Sequence, residues 1–146
     1  MKFSKGYKYQ LEEDFIIKTS IIHPSKDNVV TPWIVLFYGG KLFIRKGYAW
    51  DGPSGPTWDR LDTKSIMTPS LVHDALYQLI RMEMLDPEWK AYADKILGIL
   101  MRKRASKWGV IRWLQVLRSK IWTRETKKFG GSSADPKNRR KIYEVP

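Results

Sequence analysis

The chain has 146 residues, no cysteine and a net charge of +12, with 42% hydrophobic and 13% aromatic residues. That length and composition suit one globular domain with a buried core and exclude an intrinsically disordered chain. The missing thiols exclude disulfides, thiolate catalysis and cysteine-ligated zinc.

The charge is uneven. Residues 101–146 hold 14 Lys/Arg against 3 Asp/Glu, while residues 1–100 hold 13 against 12. A near-neutral body therefore carries a strongly basic C-terminal third, which should seek phosphate on anionic lipid or nucleic acid. The opening residues Met1-Lys2-Phe3-Ser4-Lys5-Gly6 have no apolar core behind their charges, so no signal peptide is expected. No run approaches the ~18 apolar residues of a membrane span.

In chain order, the first half reads as β. Phe15 to Ile22 is β-branched and short enough for a strand. Trp33 to Tyr38 and Lys41 to Tyr48 flank Gly39-Gly40, a two-residue link suited to the positive φ angles of a tight hairpin turn. Pro32 argues for an edge or a strand start. Lys41, Phe43 and Arg45 alternate imperfectly with Leu42, Ile44 and Lys46, which assigns no faces. Gly47 to Pro56 is a loop dense in glycine and proline.

The second half reads as α. Thr68 caps a helix whose first position is Pro69 and which runs to about Met84. Asp86-Pro87-Glu88 repeats the device and opens a second helix through about Arg104, with Trp89, Ala93, Ile96, Leu97 and Leu100 on its apolar face. A third helix covers Lys107 to Lys127, with Val110, Leu114, Leu117 and Ile121 in one stripe. Gly130-Gly131-Ser132-Ser133 ends it. Strands first and helices after predict an α+β fold: a small N-terminal antiparallel sheet or hairpin, a helical hairpin, and a basic amphipathic C-terminal helix. Residues 1–130 form one domain in this reading, and 131–146 a basic tail.

The stretch from Ser70 to Tyr77 carries His73, one of two histidines, with Asp74 after it and Tyr77 one helical turn on. Neighbours on a helix point about 100° apart, so His73 and Asp74 are expected to serve different targets rather than pair. Tyr77 shares the His73 face. Counted from residue 84, His73 lies 11 positions back and Asp94 lies 10 forward. Two antiparallel helices would therefore bring Asp94 beside the imidazole as its orienter, leaving the other ring nitrogen to deprotonate a water. The candidate catalytic residues are His73, Asp94 and Tyr77. Asp74 has the chemistry to hold a hard cation such as calcium, together with carbonyls of the glycine loop. Asp51 and Ser54 are read as loop supports through Asx-type bonds to backbone amides. With no cysteine, two distant histidines and no His-x-x-x-His spacing, a zinc hydrolase lacks ligands.

These parts resemble the phospholipase A2 fold family, above all the lipase module of parvoviral capsid proteins. The matching residues are Gly47-Tyr48, Gly52-Pro53, His73-Asp74-x-x-Tyr77, Asp86-Pro87 and Ala93-Asp94, between about Gly47 and Met101. The resemblance implies His73 as water-activating base, Asp94 as its orienter and Asp74 as calcium ligand with loop carbonyls near Gly52 and Gly55. The chain also resembles a family of phage-encoded proteins catalogued as domain of unknown function thirteen fifty-three. That likeness rests on Gly47-Tyr48, Asp51, Ser54, Pro56, Val72 to Tyr77, Ala93-Asp94 and the Trp108–Trp122 region. It implies a phage source, with the protein in the host cytoplasm during infection or in the virion.

In the basic third, Arg112, Trp113, Arg118, Lys120 and Trp122 are candidate contacts to lipid or phosphate, since tryptophan suits a membrane interface and a basic amphipathic helix lies on anionic bilayers. Nucleic acid is the less favoured partner. The expected function is a phage-encoded hydrolase of phospholipid ester bonds at a membrane. The alternative is a non-enzymatic virion structural or accessory protein that docks through its basic third on a phage structural protein.

Overall fold

A computed structural model describes residues 3–4, 9–21, 26–52, 63–104, 116–117, 119–121, 123–124 and 134–138. Among these residues seven short strands precede two long helices: β1 Phe3–Ser4, β2 Tyr9–Leu11, β3 Phe15–Lys18, β4 Val29–Val30, β5 Ile34–Leu36, β6 Lys41–Ile44, β7 Ala49–Trp50, α1 Thr63–Arg81 and α2 Trp89–Arg104. The fold is α+β, as the order of patterns predicts. All strand pairs are antiparallel. They make a three-stranded sheet, β1-β2-β7, and a four-stranded sheet, β3-β6-β5-β4.

Side chains alternate between the two faces of a strand, and the register of the four-stranded sheet sorts them. Ile17, Leu42, Leu36 and Val29 align across β3, β6, β5 and β4, and in the neighbouring row Phe15, Ile44 and Ile34 align. This inner face joins Leu71, Val72, Ala75, Leu76 and Leu79 of α1 in one core cluster. On the outer face Ile16, Phe43, Val35 and Val30 align in a row. Lys18 stands opposite Lys41 in the next row.

The β5–β6 turn differs from a two-residue Gly-Gly link. Gly40 N donates to Phe37 O at 2.7 Å and Phe37 N donates to Lys41 O at 2.9 Å, so Tyr38 and Gly39 are the central residues. Gly40 follows them at φ +80°, the bulge position of a three-residue hairpin loop. A Cβ there would meet the carbonyl oxygens of Thr19 and Ile21 at 2.7 Å, so glycine is required by both conformation and space.

Helix α1 also begins earlier than its Thr68-Pro69 start signal, and Pro69 lies inside it. A proline removes only one intrahelical bond, and the burial of Ile66 and Met67 favours the added turn. The helix stops at Glu83, which adopts φ +59° while Met84 N bonds Leu79 O and Glu83 N bonds Ile80 O. This is a Schellman stop with glutamate where glycine is usual. Helix α2 opens just after its start signal: Asp86 Oδ1 accepts from Glu88 N at 2.8 Å, Trp89 N donates to Asp86 O and Lys90 N to Pro87 O at 3.0 Å, and the helix runs from Trp89.

Residues 116–117, 119–121 and 123–124 are helical. This helix approaches α2 through small residues, for Ser119 is fully buried and a Cβ on Gly98 would meet Thr123 Oγ1 at 2.5 Å. Leu117 and Ile121, half of the expected stripe, are exposed. Beyond it, Ala134 joins the main core cluster.

Candidate functional site

The antiparallel α1–α2 hairpin brings His73 and Asp94 together. His73 Nε2 lies 3.2 Å from Asp94 Oδ1, across 21 residues of sequence. The same oxygen accepts from the Tyr77 hydroxyl at 2.6 Å, and Oδ2 accepts from Lys90 Nζ at 3.0 Å. Asp94 is 1% exposed and His73 8%. The Tyr77 ring also lies against the imidazole, with centroids 4.0 Å apart and planes inclined by 36°. A buried carboxylate is tolerable only when its oxygens are paired and hydrogen-bonded, and Asp94 meets that condition through three donors on two helices.

Each member is placed by its helix position. Tyr77 is at i+4 from His73, so both side chains leave α1 on one face. Lys90 is at i−4 from Asp94 on α2 by the same rule. Lys90 is the residue that sequence reading missed, and this spacing was the available signal. His73 Nδ1 lies 3.4 Å from Asp74 Oδ1, contrary to the expectation that these neighbours serve separate targets. Their Cα–Cβ bonds do diverge, but a rotating carboxylate tip recovers part of the gap. The separation is at the outer limit of a hydrogen bond.

The electrostatics follow from these partners. Burial by itself lowers the pKa of His73, but hydrogen bonds to Asp74 and Asp94 raise it above its ordinary 6.5. Burial by itself raises that of Asp94, but bonds from His73, Tyr77 and Lys90 hold it below its ordinary 3.8. Asp74 is raised, first by burial and also by the charge of Asp51, against a lowering by His73. The Tyr77 phenol is raised by burial and by its bond to Asp94. Tyr48, buried at the mouth of the glycine loop, is raised by burial and then by the charge of Asp74.

The remaining candidate residues divide by position. Asp51 is exposed, and its charge acts on Asp74 and Tyr48. Gly52 is buried at φ +74°, and a Cβ there would run into the Tyr9 ring. Lys120 is exposed on the third helix. Ser54, Gly55, Arg112, Trp113, Arg118 and Trp122 lie outside the described residues.

The expected calcium ligands are Asp74 and the carbonyls near Gly52 and Gly55. Of these, Gly55 lies outside the described residues. No group of three His, Asp or Glu side chains among them is placed to hold a metal ion. Asp74 also turns one oxygen toward an imidazole rather than an open cradle, and the Arg81 charge already acts on it.

What the arrangement can do is move a proton. A neutral imidazole with its proton on Nε2 donates to Asp94, which fixes the tautomer and leaves on Nδ1 a lone pair that can act as a base once the 3.4 Å contact to Asp74 Oδ1 opens. Comparison with known proteins adds no assignment: no family model, curated protein or solved structure matches the chain.

Proposed function

We propose that this chain is a phage-encoded hydrolase of ester bonds, most fittingly those of phospholipids, with His73 as the catalytic base. The observation that carries the reading is the 3.2 Å contact between His73 Nε2 and Asp94 Oδ1, on a carboxylate that Tyr77 and Lys90 also hold. Nδ1 takes a proton from a water as the water oxygen adds to the ester carbonyl carbon. The tetrahedral intermediate then expels the alkoxide, which receives that proton from Nδ1, giving a carboxylic acid and an alcohol. Asp94 and Tyr77 are positioning residues: they keep the ring turned and the proton on Nε2. The phospholipid as substrate is supported by the motif resemblance and by the basic C-terminal third.

A second reading rests on a specific observation. His73 is 8% exposed and both its ring nitrogens face carboxylates. In that reading the cluster is a tie between α1 and α2, and the protein is a virion structural or accessory component docking through its basic third.

The test is hydrolysis of phospholipid in mixed vesicles, with calcium and with chelator, by wild type and His73→Ala. The hydrolase reading expects loss of turnover in the variant. It also expects wild-type rates to rise with pH through a midpoint above 6.5, because only the neutral imidazole accepts a proton. Full activity in His73→Ala removes the mechanism. A wild type without turnover, paired with a destabilised His73→Ala, leaves the structural tie.

A further inference from the structure

The outer face of the four-stranded sheet combines exposed aliphatic side chains with cations that no acid among the described residues neutralises. Ile16 and Val30, at opposite ends of its apolar row, are 58% and 56% exposed, and Trp33 beside the row is 46% exposed. Between them Phe43 is half-buried and Val35 is 8% exposed, so the exposed apolar surface consists of the two ends of the row and Trp33. Lys18 and Lys41 border it as a directly opposed cross-strand pair, and like charges in that position weaken the pairing. The Lys18 ammonium donates to the Gly39 carbonyl, and the Lys41 ammonium lies 4.8 Å over the Phe37 ring centroid. Among the described residues, neither of them nor Arg45 forms an ion pair with a carboxylate. An anion placed against this border relieves the repulsion.

We propose that this sheet face docks on a lipid bilayer carrying anionic headgroups. Ile16 and Val30 enter the boundary between headgroup and acyl chain, Lys18, Lys41 and Arg45 meet lipid phosphates, and Trp33 sits at the interface level. The charge pattern selects this occupant over the rivals. A second copy packed face to face would bring the two cationic borders together. A single-stranded nucleic acid stacks its bases on successive aromatic platforms, whereas the two most exposed apolar side chains here, Ile16 and Val30, are aliphatic and Trp33 offers one such platform beside them. The proposal is independent of whether His73 hydrolyses anything. It is also distinct from docking through the third helix, whose Leu117 and Ile121 are the competing exposed pair.

Sedimentation of the full chain with vesicles tests it, comparing phosphatidylcholine alone with a mixture containing phosphatidylglycerol. Wild type is expected to bind the anionic mixture and not the neutral vesicles. Ile16→Glu with Val30→Glu weakens binding by about tenfold or more. Lys18→Ser with Lys41→Ser weakens it about fivefold for each charge removed. Both double variants keep the wild-type circular dichroism spectrum. Three results overturn the proposal. The first is release by Leu117→Glu with Ile121→Glu while the sheet variants bind like wild type. The second is displacement of vesicles by oligothymidylate at equal phosphate. The third is wild-type protein that ignores anionic vesicles at low salt or self-associates through Ile16 and Val30.

Discussion

The inside of the α1–α2 hairpin and the outside of the four-stranded sheet treat charge in opposite ways. In the hairpin, His73, Lys90 and Tyr77 converge on the buried Asp94 carboxylate. On the sheet, Lys18, Lys41 and Arg45 meet no carboxylate among the described residues, and apolar side chains lie exposed beside them. Burial of Asp94 makes its partners necessary, because an unpaired carboxylate there has no water to turn to. Exposure makes the cations of the second region nearly free of consequence for folding, because water solvates whatever the protein does not. Chemistry that depends on a held proton belongs to the first region, and recognition of a charged surface to the second.

The largest expected effect breaks the hairpin cluster at its centre. Asp94→Ala removes the acceptor shared by three donors and leaves the imidazole and phenol buried without it. Loss of one partner from a buried charged network costs about 3–5 kcal/mol, read as a lowered denaturation midpoint in urea. A smaller loss is expected for Tyr77→Phe, which deletes only the 2.6 Å bond to Asp94 Oδ1. A hydrogen bond to a charged group is worth about 1.5–3 kcal/mol. If Asp94→Ala costs no more than Tyr77→Phe, Asp94 is not the centre of the cluster, and the contrast with the sheet face weakens.

Protonation sharpens the same contrast. His73 has a folded pKa above its ordinary 6.5, so its contribution to stability is complete below 6.5 and is lost as pH rises through the folded value. Asp94 has a folded pKa below its ordinary 3.8, so its contribution is present above 3.8 and is lost as pH falls through the folded value. Asp74 runs the other way from Asp94. Its raised pKa makes ionisation unfavourable to the fold, which trims stability as pH climbs from 3.8 through its folded value. Urea midpoints measured across pH should therefore fall on the alkaline side above 6.5, and His73→Gln should flatten that limb. Under the hydrolase reading, catalytic rate rises over the same interval in which His73 ceases to stabilise the fold. Different midpoints for the two curves separate the catalytic group from the structural one.

How far these regions could be read from the sequence depends on whether local or tertiary forces built them. The His73–Asp94 contact was legible because an antiparallel hairpin makes spatial distance a matter of counting, and 11 back against 10 forward put the two residues level. The Asp86-Pro87 start of α2 was legible because a cap is local chemistry. The early start of α1 was not, since Ile66 and Met67 are drawn in by burial against the core, and the Thr68-Pro69 signal says nothing of that. The Gly39-Gly40 turn was placed correctly but misassigned by type. The bulge at Gly40 is set by the approach of the Thr19 and Ile21 carbonyls, which come from the irregular segment after β3, about twenty residues away in the chain. The outer sheet row stayed hidden because imperfect alternation along β6 alone fixes no face. Only the pairing of Ile16 with Phe43, Phe43 with Val35 and Val35 with Val30 reveals it.

The smallest expected effect lies on that row. Ile16→Thr with Val30→Thr keeps β-branched side chains on β3 and β4 and removes apolar surface that is already more than half exposed. Surface substitutions of this kind change stability by about 0.5 kcal/mol or less, so the urea midpoint should stay close to that of wild type. The same pair should still lower affinity for anionic vesicles, though less than the glutamate pair, because threonine removes insertion without adding repulsion. A marked drop in stability instead would mean that Ile16 and Val30 belong to the packing of the sheet. The outer face would then be part of the fold's support rather than a surface free to meet a bilayer.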